Sequence, residues 1–182
     1  MSRIDLLPEE TAGPLINETL VRLGSEPGSA TNMKRTLAHS PIALQALLEW
    51  YPLYNAVGGF LSHRETTLFT HAISTQSDCL VCSSFFRRWL IEAGEDPDNL
   101  QLNPREAALV AFGRKLAADS NNVDDALFAQ LAAFLTQQQL VELVAFGTLM
   151  LATNIFNNVL RVPLDSYLEP FRRAEPAEVA RG

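Results

Sequence analysis

The chain's only two cysteines, Cys79 and Cys82, stand as C-x-x-C within the run from Ser62 to Gly94. Two thiols at that spacing, at the start of a helix, have Cα atoms within ~7 Å of each other, which is close enough for a disulfide. The N-terminal peptide dipoles of such a helix favour a thiolate. Three readings are open for the pair: reversible dithiol–disulfide chemistry, half of a zinc site, or two buried hydrophobes. Zinc in a structural site wants four ligands, and a second C-x-x-C or a close pair of histidines is missing, leaving only His63 and His71 in the neighbourhood. Free cysteine, for its part, is an ordinary core residue.

The elements that must position the pair are legible around it. Ser77 and Asp78 are good N-caps, and Val81, Phe85 and Trp89 recur at helical spacing up to Gly94, a C-cap. Before them, Ser62 and Glu65 form a capping box after a Gly58-Gly59 break, and Leu68, Phe69, Ala72 and Ile73 make one apolar face. The cysteines therefore sit at a helix–helix junction. The capping role alone accounts for Glu65.

This stretch resembles the alkylhydroperoxidase D and carboxymuconolactone decarboxylase superfamily. The resemblance rests on the C-x-x-C, on His39-Ser40-Pro41 opening a helix, on the Leu61-Ser62-x-Arg64-Glu65 entry, on Ala93-Gly94 closing the cysteine helix and on the segment Asn157 to Asp165, covering roughly residues 36 to 165. It implies an all-α, single-domain helix bundle and a peroxidase that works through its dithiol. Cys82 would be the thiol that attacks peroxide and Cys79 the resolving thiol, with trimers or hexamers as the assembly. An alternative within the same superfamily is a lactone decarboxylase, or a non-catalytic oligomer, without thiol chemistry.

Two positions depart from the family's redox pattern. Members of the peroxidase type carry Glu twelve residues before the first cysteine and His four after the second; here these are Thr67 and Phe86. Phe86 takes no proton, so Cys82 is predicted to be a weaker nucleophile and peroxide turnover to be modest. His71 is the candidate substitute, because His63, Thr67 and His71 follow at i, i+4 and i+8, and an imidazole titrates in the range of a general base. The plainer reading of His71 is a hydrogen-bonded or solvent-facing histidine. The catalytic candidates are thus Cys79, Cys82 and His71, with no cofactor and no metal.

Length and composition set the remaining bounds. The 182 residues fit one domain, with an extended arm over 1–13, a tail over 166–182 and six or seven helices between. Pro14 reads as the first turn of a helix to Leu23, and Ser40-Pro41 opens another that Pro52 kinks or ends. Asn103-Pro104-x-Glu106 and Thr136-x-x-Gln139 are two further capping boxes. A 47% hydrophobic content against 19% charged leaves little charge to cover a monomer, which predicts a homo-oligomer.

A net charge of −7 with only two paired arginine motifs argues against a nucleic-acid partner. The N-terminus shows no signal-peptide pattern, which predicts a reducing cytoplasm where the pair would cycle. The partners so implied are a small peroxide and a thiol or dithiol reductant. Leu140 to Leu160 is long enough to span a membrane, but Glu142 and the asparagines 154, 157 and 158 would cost free energy in lipid. It reads instead as a central helix of the fold or of an oligomer.

Overall fold

A computed structural model describes residues 1–173 of the chain. Among them it contains nine α-helices and no strand: α1 (Glu9–Arg22), α2 (Asn32–Leu37), α3 (Pro41–Leu48), α4 (Trp50–Val57), α5 (His63–Gln76), α6 (Leu80–Glu92), α7 (Pro104–Asp119), α8 (Asp125–Ala132) and α9 (Gln137–Leu160). A 3₁₀ turn at Ser166–Phe171 packs on α6. The rest of the expected tail, from residue 174, lies outside the described residues.

Every capping box read from the sequence forms, at Ser62/Glu65, Asn103/Glu106 and Thr136/Gln139. Gly94 closes α6 in the left-handed region, at φ +83°. The capping acids also reach across the fold. Glu65 of α5 pairs with Arg105 of α7, and Glu106 of α7 pairs with Arg64 of α5, so the two helix entries are tied to each other in both directions. Glu65 therefore does more than cap. Burial works against its carboxylate, but the Ser62 hydrogen bonds and the Arg105 guanidinium outweigh that and hold its pKa below the usual range.

The N-terminal boundaries differ from the expectation. The arm is only eight residues long, and α1 starts at Glu9 with two acids in its first turn, which suits the positive end of a helix. Pro14 lies inside α1, where Ala12, Ile16, Thr19 and Leu20 bury one face against α2 and α3. The arm itself is bound: Arg3 N–H donates to the Leu160 carbonyl, and Arg35 donates to that of Leu7. Further along, the helix opened by Ser40-Pro41 stops at Leu48, and α4 restarts at Trp50. Pro52 has no N–H for the Leu48 carbonyl, yet it fits the first turn of a new helix, where no donor is needed.

α5 is the more deeply buried of the two long inner helices, with eight of its 14 residues buried against eight of 24 in α9. It packs on α6, α7 and α9, although only four of its 14 residues are apolar. Its buried hydroxyls make this possible by returning hydrogen bonds to their own helix: Thr66 to Ser62, Thr67 to His63, Thr70 to Thr66 and Ser74 to Thr70. Phe69 is fully buried and stacks on Phe112 at 5.9 Å. Two glycines admit it. A Cβ on Gly113 would come within 2.8 Å of the Phe69 carbonyl oxygen, and one on Gly147 within 2.8 Å of the ring.

The more apolar α9 passes length and composition tests for a membrane span, but it packs on α3 to α8 and leaves one face uncovered. That face carries Val141, Ala145, Thr148, Ala152, Ile155 and Val159, at alternating spacings of four and three, and Val141 is 69% exposed. Such a seam is what a second helix packs into.

Candidate active site

The junction between α5 and α6 is a tight reversal. The chain leaves α5 at Gln76 and passes through Asp78 in the left-handed region, at φ +51°. It enters α6 with Cys79 itself as the N-cap residue, one position later than the sequence cue at Ser77 and Asp78. The Cys79 N–H donates back to the Ser74 carbonyl at 3.0 Å, and its own carbonyl accepts from Ser83 N–H at 2.9 Å. Cys79 is thereby fixed between the two helices, with none of its surface exposed.

Both thiols are free, and they lie against each other. The hydrogen bond from Cys82 lowers the pKa of Cys79; burial opposes this, and the first amides of α6, at Cys82 and Val81, add to the lowering. Cys82 is pushed the other way, by the same shared proton and by burial. The two thiols titrate as a coupled pair, with the first ionisation favoured toward Cys79 at the helix start.

The residue that the sequence reading missed is Asn157. Its Nδ2 donates to Cys82 Sγ at 3.3 Å and lies 4.0 Å from Cys79 Sγ, and the side chain is buried. Asn154 and Asn158 brace the same junction from α9, donating to the Ser77 hydroxyl at 3.3 Å and to the Ser77 carbonyl at 2.9 Å. The signal was available: three asparagines at i, i+3 and i+4 in a strongly apolar helix share one face, and such a face needs polar partners inside the fold.

Cys82, and not Cys79, opens into a cavity of about 610 Å³. Its walls are aromatic: Trp50, Tyr51, Phe85, Phe86, Trp89 and Tyr167. Phe86, where the family's histidine stands, is one of these walls. Thr67 is buried, and its hydroxyl donates to the His63 carbonyl at 2.7 Å. Neither position supplies a base.

His71 is not brought to the sulfurs. It lines a second cavity of about 690 Å³, together with Arg87, Asp98 and Arg114, and neither cysteine lines that space. The stripe drawn through residues 63, 67 and 71 drifts, because at 3.6 residues per turn the eighth residue has rotated by about 80°. His63 consequently rests on Trp89 of the first cavity, at 4.9 Å between ring centres, while His71 faces the second. The zinc reading finds no geometry either, since among the described residues no three His, Cys, Asp or Glu side chains converge.

Burial, with Arg87 as the leading cation nearby, lowers the pKa of His71 from 6.5 to about 4. The unfolded chain then binds a proton between pH 6.5 and 4 that the folded chain refuses. The histidine's contribution to stability is complete above pH 6.5 and is lost as the pH falls toward 4. The expected loss is about 2 kcal/mol, less than the full linkage value because the ring is partly exposed. Urea unfolding of the wild type and of His71→Gln across this range checks it: the wild type should lose the larger amount, and equal losses would place the imidazole in water.

No family model matches the chain, and no curated protein does. Solved structures do match. The apo debrominase Bmp8 is 17% identical, with a TM-score of 0.69 over 91% of this chain and 94% of that one. A cysteine-to-alanine variant of Bmp8 in complex with 2,3,4-tribromopyrrole is 16% identical, with a TM-score of 0.69 over 94% and 97%. An alkylhydroperoxidase AhpD core structure, of an uncharacterized peroxidase-related protein from Ralstonia eutropha, is 20% identical, with a TM-score of 0.65 over 92% and 94%. At these identities the likeness is one of fold, and the fold of this chain is that of the all-α alkylhydroperoxidase D-like proteins.

Proposed function

We propose that the protein is a thiol oxidoreductase that reduces an electrophilic small molecule at Cys82 and closes a Cys79–Cys82 disulfide. The observation that carries this reading is the asymmetry of the pair: two free thiols touch, and only Cys82 meets the cavity. Cys79 takes the place of the missing base. Its thiolate accepts the Cys82 proton, which leaves a Cys82 thiolate facing the cavity, with Asn157 donating to it.

With a peroxide ROOH, the Cys82 thiolate attacks the terminal oxygen and the O–O bond breaks. RO⁻ leaves and takes a proton from water, and Cys82 becomes a sulfenic acid. The Cys79 sulfur then attacks Cys82, and its proton departs with the hydroxide as water. Each peroxide thus takes two electrons from the pair, and an external thiol or dithiol restores them.

A second electrophile is favoured by a specific observation, the aromatic wall of the cavity, together with a debrominase among the structures that share the fold. Reductive dehalogenation has the same balance: an aryl halide and two thiols give the reduced ring, a hydrogen halide and the disulfide.

The test is a thiol count. Reduced protein is treated with one equivalent of cumene hydroperoxide or of a bromophenol, and thiols are titrated after denaturation. One of the two reagents is expected to convert two thiols to none, with the organic product formed in equal amount. Two thiols remaining after both treatments would overturn the redox reading.

A further inference from the structure

We propose that the cavity beside Cys82 is a binding site for a planar aromatic anion. This names the substrate class of the oxidoreductase reading and rests on it. The walls supply the first half of the argument. Trp50 stacks on Tyr54 at 4.9 Å and lies 6.5 Å from Phe86, and Phe85 lies 4.8 Å from Trp89, so rings border the space from α4 and from α6. Aromatic faces and edges of this kind receive a flat ring better than a chain of sp³ carbons. The volume lies within the range of small-molecule sites and exceeds what a small peroxide needs.

The polar groups supply the second half. Two cations line the cavity, Lys34 and Arg88, against one carboxylate, Asp165. Lys34 is 5% exposed; it donates to the Ser29 carbonyl at 3.1 Å and lies 5.3 Å from the centre of the Tyr51 ring. The Arg88 guanidinium is set between two rings, 5.2 Å from the centre of Phe85 and 5.3 Å from that of Tyr167. Its buried Nε lies 3.5 Å from the carboxylate of the exposed Glu92, an ion pair without a well-formed hydrogen bond.

The Trp50 Nε1–H is buried without a partner. Lys34 and Arg88, set in an otherwise apolar wall, fit a ligand that brings acceptors and negative charge. Asp165 on the same wall is engaged elsewhere, its carboxyl accepting from the Asn32 N–H at 2.9 Å.

The chain's only two tryptophans, Trp50 and Trp89, both line the cavity, so intrinsic fluorescence reports on it directly. The experiment titrates the full-length Cys82→Ala protein, in which no thiol attack can occur, with three probes at pH 8: 2,4,6-tribromophenol, which is then a phenolate, its methyl ether 2,4,6-tribromoanisole, and hexanoate. The phenolate is expected to quench with an affinity about tenfold or more above either of the others, as one charge-assisted contact provides. Arg88→Gln should bring phenolate and ether closer together. Equal binding of phenolate and ether, binding of hexanoate as tight as the phenolate, or no binding would each overturn the proposal.

The two readings fail separately. Binding lost while the thiol count succeeds leaves the cysteine chemistry with a smaller or neutral electrophile. Binding found while both thiols survive leaves a ligand site without that chemistry.

Discussion

Serine at position 82 is expected to lower turnover of the accepted electrophile by ~10³ or more, because a hydroxyl is a far weaker nucleophile than a thiolate and no other thiol lines the cavity. Serine at position 79 should act differently. It leaves the attacking sulfur in place but removes both its proton acceptor and its resolving partner, so a single slow turnover should end at Cys82. With peroxide, mass spectrometry should find one added oxygen on Cys79→Ser and a disulfide on the wild type. Steady-state turnover that survives Cys82→Ser, or an added oxygen trapped on Cys79, would reverse the roles assigned to the two sulfurs. His71→Ala should change none of these rates, since the imidazole faces the other cavity.

The largest effect on stability is expected at Phe69, where truncation to alanine should cost about 3–5 kcal/mol in urea unfolding. The ring is fully buried where α5, α7 and α9 meet, and it contacts Phe112 and Phe146. The neighbours cannot close the void easily, because Gly113 and Gly147 have no side chain to move into it. Gly147→Ala alone should cost about 1–3 kcal/mol, since its Cβ would meet the ring. In Phe69→Leu the same substitution should cost less, because the colliding end of the ring is gone. A double-mutant cycle with no coupling between the two sites would show that the ring does not occupy the notch at Gly147.

What could be read from the sequence was local. The capping boxes and Gly94 are short signals whose geometry depends on three or four residues, and each lies where it was read. The start of α1 was misplaced because Pro14 carries the same signal at the first turn of a helix as it does when tolerated further in. Apolar content marked α9 as central to the fold or to an oligomer, and it does pack on six other helices. It did not reveal how deeply α5 is buried, because that helix's threonines and Ser74 satisfy their hydroxyls within the helix and so bury at little cost.

The site divides in the same way. The cysteine pair and its junction follow from spacing. Asn157 reaches them from 75 residues away in sequence, and the side on which His71 falls depends on how α5 is rotated against α6.

The complete burial of Cys79 has a kinetic consequence. In the proposed thiol cycle the Cys79 sulfur is reached only through Cys82, so the reductant must attack Cys82 through the same opening that admitted the oxidant. The two half-reactions cannot overlap: one molecule must vacate the doorway before the other enters. Parallel lines in double-reciprocal plots are the signature of such alternation, and each co-substrate in excess becomes the inhibitor of the other's step.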